Sequence, residues 1–249
     1  MGIFLEHKEV KRIVESSEKA ILFIHGIVGT PHHFDRFVYV VPDDISIYNL
    51  LLDGHGKGVR NFSRSSMKKW ESQVQTAVDE LASSHSQIYI AAHSMGTLFA
   101  IEQAVKSKRI TKLFLLAVPL NLFLKPKMLS NSIKVFFNKI KPDDQAAKAA
   151  ANCYGIERDW NIFHYIGWVP RYLELFRKIN QTRNILDQLT TPCIAFQSSE
   201  DEMVSTKSST TLSRNPAVSV IEIVNTFLKP YIIFPTHTAA EVLPCESCV

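Results

Sequence analysis

The segment best able to do chemistry is Ala92-His93-Ser94-Met95-Gly96. It follows an apolar run ending at Ala92 and opens a stretch, Gly96 to Lys106, in which Leu98, Ile101 and Val105 recur at helical spacing. A serine on a strand-to-helix turn has a strained backbone that neighbouring chains approach closely, and the small residues Ala92 and Gly96 supply the room. Such a turn projects the Ser94 hydroxyl at the amino end of a helix. There the dipole and the free N–H of Met95 favour a developing oxyanion. The implied chemistry is attack of Ser94 on an acyl carbonyl.

Three further segments fall after predicted strands. His25-Gly26-Ile27-Val28-Gly29 follows Ala20–His25, and Asp53-Gly54-His55-Gly56 follows Ile45–Leu51, with glycines suited to a tight turn and a histidine suited to bracing loops. Ser198 to Val204 carries the acids Glu200, Asp201 and Glu202 after the strand Pro192–Gln197. A carboxylate there would orient a histidine and stabilise its imidazolium during turnover.

Taken together, these motifs resemble the α/β-hydrolase superfamily, and within it the bacterial carboxylesterases and monoacylglycerol lipases. The resemblance runs from Ala20 to about Leu243. It implies that the N–H of Ile27 is the second oxyanion donor beside that of Met95, that His25 shapes its loop, and that the His55 turn braces the site from below. An aspartate three residues before a valine matches the family's acid, which selects Asp201. The family's histidine, usually in a Ser-x-His after the last strand, is missing from its place, where Leu228-Lys-Pro230-Tyr231 stands instead. His237 is the candidate base, since the chain order Ser94, Asp201, His237 agrees with the superfamily. His32 and His33 are the fallback, and His93 is expected to point away from the nucleophile.

The elements that must position these residues read as a mostly parallel sheet flanked by helices. The predicted strands are Ala20–His25, Ile45–Leu51, Gln87–Ala92, Lys112–Val118, Pro192–Gln197 and Val218–Val224, with an edge strand among the first residues. Pro31–Val40 and Met67–Ser84 read as helices. From Pro119 to Leu189 the alternation stops and no strand is predicted. Leu129, Ile133, Phe136, Phe137 and Ile140 form one helical stripe, and Tyr172, Leu175, Phe176, Ile179 and Leu186 another. The expected organisation is a hydrolase core at 1–118 and 190–249 with a helical cap at 119–189. The aromatic cluster Trp160, Phe163, Tyr165 and Trp168 reads first as core. Its place in a cap at the carboxyl ends of the strands also makes Phe136, Trp160 and Trp168 candidates to contact substrate.

Composition limits the alternatives. With 249 residues, 46% of them hydrophobic and 21% charged, the chain can bury a full core, so neither disorder nor a fibre is indicated. A net charge of +4, spread along the chain, is too small to argue for nucleic acid. Charged residues interrupt the apolar character of Met1 to Val14, and no apolar run is long enough to span a bilayer, which leads to an expected cytoplasmic location. The four cysteines are too few and scattered for a disulfide scaffold, and Cys245 and Cys248 read as ordinary terminal thiols. No HExxH-like spacing, phosphate loop or dinucleotide fingerprint occurs, so no metal or cofactor is expected.

The expected function is therefore hydrolysis of a small acyl ester, a short or medium-chain carboxylester or a monoacylglycerol, through an acyl-enzyme. Two alternatives stand beside it. One is a thioesterase, amidase or carbon–carbon hydrolase on the same fold. The other is an impaired homologue that binds ligand without the usual histidine.

Overall fold

The computed structural model describes residues 7–122, 155–157, 159–198, 201 and 204–223. The calls on Phe136, Cys245, Cys248 and His237, and the stripe from Leu129 to Ile140, lie outside the described residues.

Among the described residues the main sheet has seven strands: β1 (Val10–Arg12), β2 (Lys19–Ile24), β3 (Ser46–Leu50), β5 (Gln87–His93), β6 (Ile110–Leu116), β8 (Cys193–Ser198) and β9 (Val218–Ile223). Their spatial order is β1-β3-β2-β5-β6-β8-β9, with β1 antiparallel to β3 and every other pair parallel. The strands were legible because a parallel sheet buried on both faces needs nearly continuous apolar runs. In β2, Leu22 and Ile24 enter one core while Ile21 and Phe23 enter the other, as a period of two requires.

On one face lie α2 (Val59–Arg64), α3 (Met67–Ser84), α4 (Met95–Lys106) and α5 (Trp168–Ile185), packed around Trp70, Leu98, Phe99 and Ile101. Helix α3 begins where Ser66 accepts a hydrogen bond from Lys69 N–H, and it buries Met67, Trp70, Val74, Val78 and Leu81 at helical spacing. The other face is covered from Phe34, Phe37, Val38 and Val41. The helix expected over Pro31–Val40 is divided there into a 3-10 turn, Pro31–Phe34, and α1, Asp35–Val40. Thr30 caps the turn and Pro31 occupies its first position, which favours a tight start. A short α6 (Lys207–Leu212) precedes β9.

Two expectations need correction. The interval 119–189 does contain a strand: β7 (Ile156–Glu157) pairs in parallel with β4 (Lys57–Gly58), a ladder too short to leave a pattern in sequence. The aromatic cluster is not core throughout. Tyr165 and Trp168 pack against the core, but Trp160 and Phe163 are 77% and 73% exposed. Trp160 precedes, and Phe163 lies within, a 3-10 turn, Ile162–Gly167, whose outer side faces solvent. No helix among the described residues is long and apolar enough to cross a membrane.

Candidate active site

Ser94 occupies the turn between β5 and α4 with φ 50° and ψ −122°, a conformation that L-residues rarely adopt and that costs of order 1–3 kcal/mol. Its surroundings hold it there. Ser94 N–H donates to Leu116 O at 2.8 Å, and Ser94 O accepts from Thr97 N–H at 2.9 Å and from the Thr97 hydroxyl at 2.6 Å. Gly96 permits the close approach, since a Cβ there would meet Ile24 O at 2.3 Å. Ser94 thus stands at the amino end of a twelve-residue helix seated on the end of β2.

The segment expected to supply an oxyanion donor lies directly beside it. A Cβ at Gly26 would sit 3.0 Å from Ser94 Cβ, which puts the following peptide next to the serine. Residues 26–29 form a tight turn closed by Gly29 N–H to Gly26 O at 3.1 Å, with Val28 at φ 51° in the third position, where glycine is usual. Among the described residues, neither Ile27 N–H nor Met95 N–H has a hydrogen-bond acceptor. Two unspent donors therefore lie on the residue after Ser94 and on the turn beside it.

Asp201 follows β8, two strands across the sheet from β5 and so roughly 10 Å away along the hydrogen-bonding direction. Its N–H donates to Ser198 O at 3.3 Å and its Oδ1 accepts from Val204 N–H at 2.8 Å, which fixes the carboxylate. This loop is tied to the chain leaving β6. Leu122 bridges Val204, and Ser205 N–H donates to Asn121 O at 2.8 Å. Gln197, not singled out from the sequence, is 4% exposed and makes a two-way bond to Val118, accepting from its N–H at 3.0 Å and donating to its carbonyl at 3.1 Å. It stabilises the turn at Ala117, another residue at positive φ, 54°, next to the Leu116 carbonyl that holds Ser94.

Four histidines pack beneath and beside these loops. His25 accepts from Leu52 N–H through Nε2 at 3.1 Å, so Nδ1 carries the proton and donates to Gly26 O at 2.9 Å. Both ring nitrogens are spent on structure. His55 lies edge-on to His25, with ring centres 4.7 Å apart and Nδ1 3.2 Å from Leu52 O. Gly54 and Gly56, at φ 79° and 69°, make the turn around it. His93 stacks against His33 with ring centres 4.9 Å apart. Burial lowers His33 and His55 to about 4 and His93 to about 3, and burial followed by the nearby His55 carries His25 well below its ordinary value. All four are neutral at neutral pH. His32 instead bonds Asp35 through Nδ1 at 2.7 Å. Among the described residues no histidine, His32 and His33 included, is hydrogen-bonded to Ser94 Oγ.

Of the aromatic candidates, Trp168 packs on Phe62 with ring centres 4.8 Å apart, beside Tyr165, while Trp160 is exposed. No group of three or more potential metal ligands occurs among the described residues.

A family model described as serine aminopeptidase, S33, matches residues 15–224. The chain belongs to this family of α/β-hydrolases. It is 27% identical over 110 residues to a probable lysophospholipase, BODYGUARD 4, of Arabidopsis thaliana, a match covering 43% of this chain and 26% of that protein. The chain thus spans about a quarter of that relative's length. The fold is similar to that of LipS and LipT, two metagenome-derived lipolytic enzymes, with a TM-score of 0.67, 15% identity and 90% of each chain covered. It is also similar to the monoacylglycerol lipase of Paleococcus ferrophilus, with a TM-score of 0.61, 14% identity, and 88% of this chain and 89% of that one covered. Strand order, parallel direction and the elbow after β5 agree with the sequence expectation of an α/β-hydrolase.

Proposed function

We propose that this hydrolase cleaves carboxylic esters through an acyl-enzyme, with Ser94 as nucleophile. The observation that carries the reading is the strained Ser94 turn, flanked by the unspent N–H groups of Ile27 and Met95. In the proposed cycle Ser94 Oγ loses its proton to a histidine and bonds to the ester carbonyl carbon. The carbonyl oxygen, now an oxyanion, accepts from Ile27 and Met95. The carbon–oxygen bond to the alcohol breaks, the histidine returns the proton to the leaving alkoxide, and water then releases the acid by the same route. Asp201 orients the histidine, and His237 is the proposed base.

The substrate reading is a short or medium acyl ester or a monoacylglycerol. It is supported by the names of the relatives above; we assign residues 119–189 as a cap, with Phe136, Trp160 and Trp168 as the residues proposed to contact substrate. A panel of esters and thioesters of equal acyl length separates this from thioester, amide or carbon–carbon cleavage.

The test is labelling with a fluorophosphonate, wild type beside Ser94→Ala and His237→Ala. Labelling lost in both variants supports the full assignment. Loss in Ser94→Ala alone removes His237 from it. A folded wild type that takes no label favours the second reading, an impaired ligand-binding homologue, motivated by Leu228-Lys-Pro230-Tyr231 standing where the Ser-x-His is expected.

A further inference from the structure

Val28 presents a problem that its own turn does not solve. A β-branched residue at φ 51° is costly, and such a conformation persists only when neighbouring structure holds it. The holding contact comes from far along the chain. Gly155 N–H donates to Val28 O at 2.8 Å, while Gly155 O accepts from Gly56 N–H at 2.6 Å. One residue thus spends its donor on the oxyanion turn and its acceptor on the loop after β3.

Two observations show that this contact is built in. A Cβ at residue 155 would lie 2.2 Å from Thr30 Cγ2 and 2.3 Å from Gly29 O, so only glycine fits against the turn. The next residues are anchored: Ile156 is 2% exposed in the core, and β7 pairs with β4 immediately after Gly56. The sequence carries a faint trace of the requirement, since Gly155 is the sole glycine between Gly96 and Gly167.

We propose that Gly155 is a positioning residue for the reaction: with Ile156 as anchor, it locks Val28 in its left-handed conformation and so aims the adjoining Ile27 N–H at the oxyanion. The proposal rests on the ester-hydrolase reading above. It also makes the oxyanion donor dependent on the seating of residues 155–157, which lie within the interval 119–189.

The experiment compares wild type, Gly155→Ala, Ile156→Ala and the double variant Ile156→Ala with Val28→Gly. Readouts are fluorophosphonate labelling, kcat and KM on a p-nitrophenyl ester, and inhibition by a trifluoromethyl ketone that forms a tetrahedral adduct on the serine. Displacement of a reacting group by about 1 Å costs on the order of 10²-fold, so Gly155→Ala is expected to lose about that factor in kcat with KM little changed. Affinity for the ketone is expected to fall in parallel. Ile156→Ala loosens this segment without adding an atom, and it decides the matter should Gly155→Ala fail to fold. Glycine at 28 adopts a positive φ unaided, so the double variant is expected to recover most of the loss. Folded single variants with wild-type kcat, or a kcat loss with ketone affinity unchanged, would overturn the inference while leaving the hydrolase reading intact. A wild type that takes no label overturns both.

Discussion

Replacing Gly96 by alanine tests how α4 is seated. A Cβ at this position would meet two backbone oxygens, Ile24 O at 2.3 Å and His25 O at 2.8 Å. Ordinary carbon–oxygen contacts begin near 3.3 Å, so the first turn of the helix must retreat by roughly 1 Å. Neither obstacle is a side chain that can rotate away. Alanine regains about 1 kcal/mol of helix propensity, whereas overpacking costs about 1–3 kcal/mol or more, and here the upper end applies because backbone faces backbone. The net expectation is a loss of about 2 kcal/mol, which lowers Tm by roughly 4–8 °C in a chain of this size. The same retreat shifts Ser94 against its oxyanion donors and slows fluorophosphonate labelling by about 10²-fold. Thermal unfolding and labelling rate are measured on one preparation. An unchanged or higher Tm together with wild-type labelling would refute the reasoning, because propensity would then have prevailed over a contact that cannot be as close as described.

The remaining predictions concern strain, charge and acid. Ser94→Gly removes the cost of φ 50° and is expected to raise stability by about 1–3 kcal/mol in urea unfolding while abolishing labelling; a variant less stable than wild type refutes stored strain at the elbow. Lys178, 4% exposed, bridges Glu71 at 2.7 Å and Glu102, joining α3, α4 and α5. Lys178→Ala removes the buried partner of Glu71 and leaves Glu102 with Lys106 alone, and it is expected to cost about 3 kcal/mol, whereas Lys178→Met with Glu71→Gln and Glu102→Gln recovers most of it; equal urea midpoints for wild type and Lys178→Ala refute the assignment. His33, His55 and His93 bind protons less readily folded than unfolded, so their contribution to stability is full above the unfolded value of 6.5 and is lost as pH falls from there toward about 4 for His33 and His55 and about 3 for His93, and His25 shifts in the same direction. Each histidine removes about 1.4 kcal/mol per pH unit within that window. Urea midpoints that stay level from pH 7 to pH 5 would contradict this.

Local pattern made much of the molecule legible. The strands were found because runs such as Ala20 to Ile24 must be apolar on both faces, and α3 was found to the residue because Ser66 caps it and its apolar positions recur at helical spacing. Ser94 was legible for a related reason: a turn that strains its central residue demands small neighbours, and Ala92 and Gly96 record that demand in the sequence. The resemblance then selected Ile27 and Asp201, and the structure puts both at the carboxyl edge of the sheet with Ser94.

Tertiary structure decided what no local pattern could encode. That His25 is spent on Leu52 and Gly26, that Gln197 braces Val118, and that Gly155 holds Val28 all depend on chain segments distant in sequence meeting at one sheet edge. The two-residue ladder β4–β7 is too short to impose a period. The exposure of Trp160 and Phe163 likewise went against residue type, because an aromatic side chain is buried only where the surrounding fold provides something to pack against. The sequence determined the long parallel strands, helix α3 and the serine at a strand–helix junction, since these follow from forces between near neighbours in the chain. Which backbone N–H groups remain without an acceptor beside Ser94, and what holds them in place, follows only from the contacts made when the sheet is assembled.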